Sequence, residues 1–492
     1  MLDSIEDKDD PFSDEQPSIS LDENGFPKHS EFEDKHPNLV GENSSGSSKD
    51  GSFAAEFYRC GTDWSTLSSK EDGKCDSNKK MKQTNLFQMW GIKNRMDFDE
   101  ENENVTRFGG NLGFHLNGSS SSFDNRVGGL NDSLDVVSSV VEKRKARPCP
   151  FYKKIPGTPF TVDAFRYGAI RGCSAYFLTH FHADHYGGLS KGWAHGRIYC
   201  TPITARLVRM CLYVNPSFIC PLELDVEHQI DGVKVTFLEA NHCPGAALIH
   251  LNLPDGQCFL HTGDFRACKP MQTYPLLVNK QVDILYLDTT YCNPKYRFPS
   301  KEEVISFVVR TTKACLKKQP RTLIIVGAYS IGKESVYIAI SEALKVKIHA
   351  NASRRRILQS FDWPHLSKNL CSDGKDTPLH VLPISSLRHE TLKNYLKTYQ
   401  NQFTSVLAFR PTGWTFSESI GNQLGLIKPN SKGNIQVYGV PYSEHSSFTE
   451  LQDFVQFLKP KKIIATVNIS NAASREKQQS YFRQWLNGRV LE

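Results

Sequence analysis

A change in composition near residue 140 is the feature that most limits what this chain can fold into. Through residue 140 the sequence has 14 Lys and Arg against 27 Asp and Glu, and it is rich in Ser, Asn and Gly. Of the chain's 59 basic and 53 acidic residues, 45 and 26 lie in the remainder, so a net charge of −13 precedes one of +19. A segment with so few apolar side chains cannot offset the entropy lost on ordering. The sequence therefore predicts a disordered acidic tail over 1–140 and a folded, basic body.

The body alternates β-rich runs with helical segments. Predicted strands cover 174–180, 233–240, 246–253, 257–263, 282–290, 322–329, 379–385, 405–409, 435–442 and 461–468. Predicted helices cover 301–317, 332–345, a segment from Ser447, and 474–486, with capping boxes at Ser300/Glu303 and Ser447/Glu450. Strands and helices mixed along the whole body indicate an α/β fold of one large domain or two coupled ones.

Composition narrows the classes of protein further. No apolar run approaches the ~20 residues of a spanning helix, so we expect no membrane segment. The 13 cysteines form no CxxC pair, which favours reduced thiols over disulfides or a four-cysteine zinc finger. A basic body indicates a polyanionic partner.

Two short segments predict interactions near the tail. An apolar cluster in the tail comprises Gln83, Leu86, Phe87, Met89 and Trp90. It loosely resembles the sliding-clamp docking box of replication and repair proteins, although a chance cluster or packing onto the body is the alternative. The basic run at 143–147 is either a nuclear signal, a nucleic-acid contact or a solvated linker.

The strongest chemical signal is the segment Thr179-His180-Phe181-His182-Ala183-Asp184-His185, directly after a predicted strand. In extended backbone His180 and His182 point the same way, and a tight turn after them can aim Asp184 and His185 at a neighbouring point. Two ligand sets roughly 3.5–4 Å apart suit a two-metal centre. The pattern predicts a metal site rather than core histidines.

Further ligands are expected at other strand ends. His242 follows one predicted strand and Asp264 ends another, and a carboxylate with two oxygens can bridge two metals. Zinc takes nitrogen, oxygen or sulfur ligands and keeps a position open for water in catalytic sites. His445 precedes a capped helix, where a lone histidine is usually structural, so its role stays open on this evidence alone.

The segment Gly327-Ala328-Tyr329-Ser330-Ile331-Gly332-Lys333 fits the GxxxxGK pattern of a phosphate-binding loop. Glu334 follows where magnesium binding needs Ser or Thr, which disfavours an ATPase. A weaker interpretation is that Ser330, Lys333 and the helix start line DNA or favour a phosphate.

These motifs together resemble the metallo-β-lactamase superfamily and, within it, the β-CASP nucleases. Asp163 in FTVDAF, Asp288 in LDTTY, the segments VGAYSIGKES, FRPTGW and GVPYSEHSSF, and KKIIATVN follow the family's order from about 148 to 492. The detail is similar to the DNA interstrand cross-link repair exonucleases of the Snm/Pso type, relatives of Artemis and Apollo. The resemblance implies a metallo-β-lactamase αββα sandwich over 148–300 and 436–492 with an inserted α/β β-CASP cap over 301–435.

The resemblance also implies roles for matching positions. Asp163 would orient the ligand loop, and Asp288 would support the site from behind the ligands. Two zinc ions are expected: one held by His180, His182, His242 and Asp264, the other by Asp184, His185, Asp264 and His445. Asp184 or Asp264 would accept a proton during hydrolysis. Val467 stands where RNA-cleaving relatives have histidine, so the resemblance favours DNA.

Candidate DNA contacts are less specific. Arg354, Arg355 and Arg356 either contact a 5′ phosphate or form a solvated basic turn. Tyr291 either stacks on the terminal nucleotide or is an ordinary strand-end tyrosine. The expected protein is a nuclear, monomeric, zinc-dependent 5′-to-3′ exonuclease for single-stranded, 5′-phosphorylated DNA in cross-link repair. The alternatives are an RNA-processing endonuclease, a small-molecule hydrolase and a non-catalytic DNA-binding relative.

Overall fold

The structure, a computed structural model, describes residues 148–416, 418, 421 and 423–488. The predicted tail, its docking cluster and the basic run at 143–147 lie outside these residues. In the described part of the chain, no helix combines the length and apolarity needed to cross a membrane.

Eighteen strands are described. They are β1 Lys154–Ile155, β2 Phe160–Val162, β3 Ala175–Phe177, β4 Arg197–Cys200, β5 Ile219–Pro221, β6 Glu227–Ile230, β7 Val233–Glu239, β8 Ala247–Asn252, β9 Cys258–His261, β10 Ile284–Leu287, β11 Thr322–Ala328, β12 Ile348–His349, β13 Leu370–Cys371, β14 Leu379–Pro383, β15 Ser405–Pro411, β16 Asn430–Lys432, β17 Ile435–Val440 and β18 Lys462–Ala465. All ten predicted strands are present, and the additional ones are mostly short.

The α-helices of the described residues are α1 Ala183–Tyr186, α2 Pro202–Leu212, α3 Pro275–Val278, α4 Lys301–Lys318, α5 Glu334–Leu344, α6 Ala352–Gln359, α7 Pro364–Asn369, α8 His389–Lys397, α9 Phe448–Leu458 and α10 Ala472–Leu486. Both predicted capping boxes are confirmed, with Ser300 and Ser447 accepting from the backbone of Glu303 and Glu450. The start predicted at 332 is two residues early, because Gly332 and Lys333 have positive φ.

The strands form three sheets, which confirms the α/β class. The first has the order β1-β2-β3-β4-β5, the second β18-β10-β9-β8-β7-β6 and the third β13-β12-β14-β11-β15-β17-β16. The third sheet is parallel except for its β16–β17 edge. Because β18 pairs with β10, the end of the chain returns to the second sheet.

Two cores support these layers. Apolar side chains of the first and second sheets pack together, including Phe160 and Phe177 from one and Phe237 and Tyr286 from the other. The rings of Phe177 and Phe237 meet edge to face with centroids 6.2 Å apart. A separate core lies on the third sheet, where Leu392 of α8 is completely buried. Strand β17, which ends at Val440, pairs with β15 and β16 in the third sheet.

Candidate metal centre

The candidate centre is built from loops that follow strand ends. His180 and His182 lie between β3 and α1, and His185 is in α1. His242 follows β7 and Asp264 follows β9. His445 lies between β17 and α9, so residues distant in sequence meet here. We call these six residues (His180, His182, His185, His242, Asp264 and His445) the histidine–aspartate cluster.

A glycine allows two of these loops to approach. Gly263, directly before Asp264, has a φ of 52°, and an added Cβ would lie 2.7 Å from the Thr179 Cβ. A larger residue would therefore collide with the segment that carries His180, and it would also be strained at this φ. Gly263 places Asp264 beside the HxHxDH segment.

Asp163 organises the HxHxDH segment from beneath. Its carboxylate accepts hydrogen bonds from the Thr179 backbone N–H at 2.9 Å, the Thr179 hydroxyl at 2.8 Å and His185 Nδ1 at 2.7 Å. Burial alone would raise the pKa of Asp163, but the His185 charge, the hydrogen bonds and Lys153 outweigh it and lower the pKa to about 2. Asp163 is therefore ionised and holds the loop in register, while its oxygens face away from the cluster's centre.

Hydrogen bonds to Nδ1 set the orientation of three imidazoles. His242 Nδ1 lies 2.7 Å from the Glu444 carbonyl oxygen, which can only accept, so this nitrogen carries the proton. His445 Nδ1 lies 2.8 Å from Asp288 Oδ2, and His185 Nδ1 pairs with Asp163 as described. Each Nε2 is thus turned away from the Nδ1 partner and toward the cluster, and His242 Nε2 also lies 3.2 Å from His182 Nδ1. Such orientation through Nδ1 is typical of metal-binding histidines.

The donor atoms converge on Asp264. Its Oδ2 lies 3.3 Å from His185 Nε2, 3.6 Å from His180 Nε2 and 3.9 Å from His242 Nε2. Since zinc–ligand bonds are about 2.0–2.2 Å, two ligands of one tetrahedral ion lie about 3.3–3.6 Å apart. Three groups have donor atoms within 4.8 Å of one another: His180, His182, His242 and Cys243; His180, His185 and Asp264; and His242, Asp264 and His445.

Two buried nitrogen atoms favour a metal ion at this cluster. His180 Nε2 and His182 Nε2 are buried and have no hydrogen-bond partner among the described residues. Burying an unpaired polar atom is costly, and a divalent metal would satisfy both atoms. The donor set of imidazoles and a carboxylate therefore fits a transition metal such as zinc.

The histidines of the cluster differ in the direction of their pKa shifts. Burial, reinforced by neighbouring histidines, holds the pKa of His180 and of His242 well below the usual range. Burial would also lower the pKa of His185 and His445, but the carboxylates outweigh it and raise both. Because a histidine binds metal in its unprotonated form, competition from protons would be weaker at His180 and His242 than at His185 and His445.

Asp288 and Val467 lie just behind the cluster. Besides orienting His445, Asp288 accepts from the backbone N–H and hydroxyl of Thr290 at 2.9 and 2.7 Å. Its pKa is lowered, because His445 and Thr290 outweigh the effect of burial. The Val467 backbone exchanges hydrogen bonds with the Thr289 hydroxyl at 2.6 and 3.1 Å. Asp288 therefore contacts a member of the cluster, whereas Val467 is bonded to Thr289, the residue that follows Asp288.

Two residues differ from the expected set of metal ligands: Asp184 was expected but is in none of the three groups, and Cys243 was not expected but is in one of them. Asp184 Oδ2 lies 3.6 Å from His185 Nε2, but Asp184 belongs to none of the three groups. Its side chain is 27% exposed, against 9% for Asp264. Cys243 lies beside His242 and is buried, where burial and then the Glu444 charge raise the pKa of its thiol. Its position beside a predicted ligand was the only sequence signal for it.

Several predicted DNA contacts are unsuited to that role. Lys333 is buried in an ion pair with Glu444, and Arg354 is buried with its guanidinium on the carbonyls of Ala328 and Tyr329. Arg355 and Ser330 are half-buried, and Arg356 is exposed. The expectation of a free cation is therefore wrong for Lys333 and Arg354, because long-range contacts occupy their charges.

An aromatic cluster connects His445 with the surface. Tyr291 is only 4% exposed, so stacking of its ring on a nucleotide is excluded in this conformation. Its ring centroid lies 4.8 Å from that of Phe298, 5.8 Å from that of Trp414 and 5.9 Å from that of His445. Trp414, which sequence reasoning did not single out, is 47% exposed and is the outermost member of this cluster.

Comparisons with known proteins match this architecture. Residues 364–471 match the family model described as DNA repair metallo-beta-lactamase. The chain is 60% identical over 443 residues to the DNA cross-link repair protein SNM1 of Arabidopsis thaliana, covering 88% of this chain and 90% of that protein. It is 47% identical over 361 residues to the Homo sapiens DNA cross-link repair 1A protein, covering 73% of this chain and 34% of that protein. The 5' exonuclease Apollo of Gallus gallus is 32% identical over 314 residues, covering 64% and 63%.

Proposed function

The chain belongs to the SNM1/Pso2-type family of metallo-β-lactamase DNA cross-link repair nucleases, and on that basis we propose that it is a zinc-dependent 5′-to-3′ DNA exonuclease. The observation that carries the proposal is the convergence of His180, His185 and His242 Nε2 on Asp264 Oδ2, beside two unpartnered buried imidazole nitrogens. Its substrate is DNA, and its process is cross-link repair in the nucleus.

The residues that would hold two zinc ions are those predicted from the sequence: the histidine–aspartate cluster and Asp184. When bound, the ions would lower the pKa of water and stabilise negative charge that develops on the phosphate. Asp264 is enclosed by imidazoles, which suits a carboxylate shared by both ions. Asp184 is the more exposed carboxylate and is suited to accept the proton of the attacking water.

The remaining residues orient the reacting groups. Asp163 and Asp288 fix the rings of His185 and His445, which keeps each Nε2 directed at the cluster. Water would attack the phosphorus that joins the first and second nucleotides, and the bond from this phosphorus to the 3′ oxygen of the first nucleotide would break. This releases the first nucleotide as a 5′ mononucleotide with a 3′ hydroxyl and leaves the water oxygen on the new 5′ phosphate of the shortened strand. This outcome requires the 5′ end of the strand to lie at the cluster.

A strand of DNA would cross the surface that holds Trp414. Exposed aromatic rings stack on bases irrespective of sequence, with about 1–3 kcal/mol per base. We assign this role to Trp414 in place of Tyr291, which is enclosed. Arg355 and Arg356 remain candidates for backbone contacts. Residues 301–435 are proposed as the β-CASP cap over the centre, and the sliding-clamp contact through Gln83, Leu86, Met89 and Trp90 stays a prediction.

The full-length protein tests this function directly. We expect stepwise shortening of 5′-phosphorylated single-stranded DNA, weaker activity on the 5′-hydroxyl strand, and none on RNA or a thioester. Asp184→Ala should abolish the activity, and a chelator should do so reversibly, with zinc restoring it. Asp453→Ala, which removes an exposed carboxylate paired with Lys269, is the matched control and should retain activity. Thioester turnover with intact DNA would instead identify a small-molecule hydrolase.

A further inference from the structure

The loop between β11 and α5, which resembles a phosphate-binding loop in sequence, surrounds a carboxylate of this chain. The Lys333 backbone N–H donates to Glu444 Oε1 at 2.8 Å, and Lys333 Nζ donates to Glu444 Oε2 at 2.5 Å. Gly332 and Lys333 have φ values of 96° and 74°, which turn their backbone toward Glu444. Both charged side chains are buried.

Carboxylates of this chain occupy the donors of Gly332 and Lys333 in this loop. A Cβ on Gly332 would lie 2.9 Å from Glu444 Oε2, so the loop touches the carboxylate closely. The Gly332 backbone N–H already donates to Glu334 Oε1 at 2.9 Å. Backbone donors that hold phosphate in a nucleotide-binding loop are here directed to Glu444 and Glu334. These contacts disfavour an ATPase, in agreement with Glu334 in place of Ser or Thr, and they give the GxxxxGK pattern a different use.

Glu444 is directly connected to the histidine–aspartate cluster. Its carbonyl oxygen accepts the Nδ1 proton of His242 at 2.7 Å, and the next residue is His445. On the other side, Arg266 donates to the Ser443 carbonyl at 2.9 Å, and the Ser446 backbone N–H donates to the Phe265 carbonyl at 3.0 Å. The segment 443–446 is thus held from two directions, one of them through Lys333.

We infer that Lys333 is a positioning residue: its buried ion pair with Glu444 fixes the backbone carbonyl that orients His242 toward the metal. Lys333 follows a strand of the third sheet, whereas His242 follows a strand of the second. Through this ion pair, the orientation of His242 depends on the position of a loop that follows a strand of the third sheet. This inference rests on the metal-dependent function proposed above and adds a residue that acts without contacting metal or DNA.

A buried ion pair is better suited to positioning a backbone segment than to stabilising the fold. Desolvation of two charges offsets much of their attraction, so such a pair contributes little net stability, although it can favour one arrangement of the buried segments over others. Partners that orient metal ligands typically change metal affinity by 10–100-fold when they are removed. Lys333 contacts the Glu444 carboxylate twice, through its backbone N–H and through Nζ at the end of its flexible side chain. These two contacts from one residue define the position of the Glu444 carboxylate.

The test measures zinc affinity in full-length protein by chelator competition, together with the Nδ1 proton of His242 in metal-free, histidine-labelled protein by NMR. Lys333→Met should weaken zinc binding at least tenfold and shift or broaden the His242 Nδ1 proton signal. Lys333→Arg should recover most of the affinity. Arg206→Met is the matched control, because Arg206 contacts the Ser360 and Phe361 carbonyls without reaching a candidate ligand, and it should bind zinc normally.

A double variant distinguishes the loss of positioning by Lys333 from the effect of leaving the Glu444 carboxylate buried and unpaired. Lys333→Met with Glu444→Gln leaves no unpaired buried carboxylate, and our inference predicts that its zinc affinity stays at least tenfold weakened. Full recovery in the double variant, unchanged affinity in Lys333→Met, or equal weakening in Arg206→Met would each overturn the inference. Absence of zinc binding in the unsubstituted protein would instead refute the proposed function itself.

Discussion

Replacing Asp163 with asparagine tests how the HxHxDH segment is held. In the folded protein one carboxylate oxygen accepts from the Thr179 backbone N–H, and the other accepts from the Thr179 hydroxyl and His185 Nδ1. Asparagine can keep the first bond through its oxygen. Its amide nitrogen then faces the His185 Nδ1 proton, so two donors oppose each other. His185 can relieve this conflict only by moving its proton to Nε2, which removes the lone pair needed for a metal.

The expected stability loss follows from the pKa of Asp163. That pKa falls from 3.8 to about 2 on folding, and each unit corresponds to 1.36 kcal/mol, so the ionised carboxylate contributes about 2 kcal/mol at neutral pH. Because the folded pKa is depressed, this contribution is complete above about pH 4 and is lost as the pH falls toward 2. Asp163→Asn should therefore lower the free energy of unfolding of metal-free protein by about 2 kcal/mol at pH 7.

Asp163→Asn should also weaken metal binding, independently of its effect on the free energy of unfolding. Loss of a partner that orients a metal-binding histidine typically weakens affinity 10–100-fold. Denaturant unfolding of chelator-treated protein measures the first effect, and zinc titration with metal analysis measures the second. Asp283→Asn is the matched control, since Asp283 accepts from the Cys258 backbone N–H and pairs with Lys461 away from the cluster. Asp163→Asn protein with normal zinc affinity and normal unfolding would refute this account.

Three further predictions address other parts of the site. Burial and then the Glu444 charge raise the pKa of Glu334 to about 7 from 4.5, so its neutral form stabilises the fold fully below pH 4.5 and this contribution disappears as the pH rises through 7. Glu334→Gln should accordingly raise Tm at pH 8 and change it little at pH 4.5; an equal effect at both pH values would contradict this. Trp414→Ala should lower kcat/KM on single-stranded DNA about fivefold or more, mainly through KM, with Trp414→Phe intermediate and the exposed Tyr213→Ala unchanged. Val467→His should lower the ratio of DNA to RNA cleavage about tenfold, because an imidazole can hydrogen-bond a 2′-hydroxyl; an unchanged ratio on matched oligonucleotides would oppose a role for this position.

Short-range sequence patterns were sufficient to predict many of the strands and helices. Strand-length apolar runs and the capping boxes at Ser300 and Ser447 depend on residues within a few positions of one another, and both capping boxes are present in the structure. The identity of the ligand-bearing segment was equally readable, because its histidines and aspartate lie within six residues. His242 and Asp264 were suggested by their positions at strand ends, whereas His445 needed the resemblance to a family, since nothing local distinguishes it from a structural histidine.

Tertiary structure decided which side chains are available. Lys333, Arg354 and Tyr291 have the residue types of DNA contacts, yet each is buried by groups distant in sequence. Conversely, Trp414 is exposed, and its contact with Tyr291, which in turn contacts His445, joins residues far apart in the sequence. By itself the sequence determined ten of the strands, four of the helices and the chemical types of several candidate metal ligands, because these follow from short-range patterns. Only the folded chain decided which charges are paired and which rings are free, because burial and ion pairing arise from contacts between distant segments.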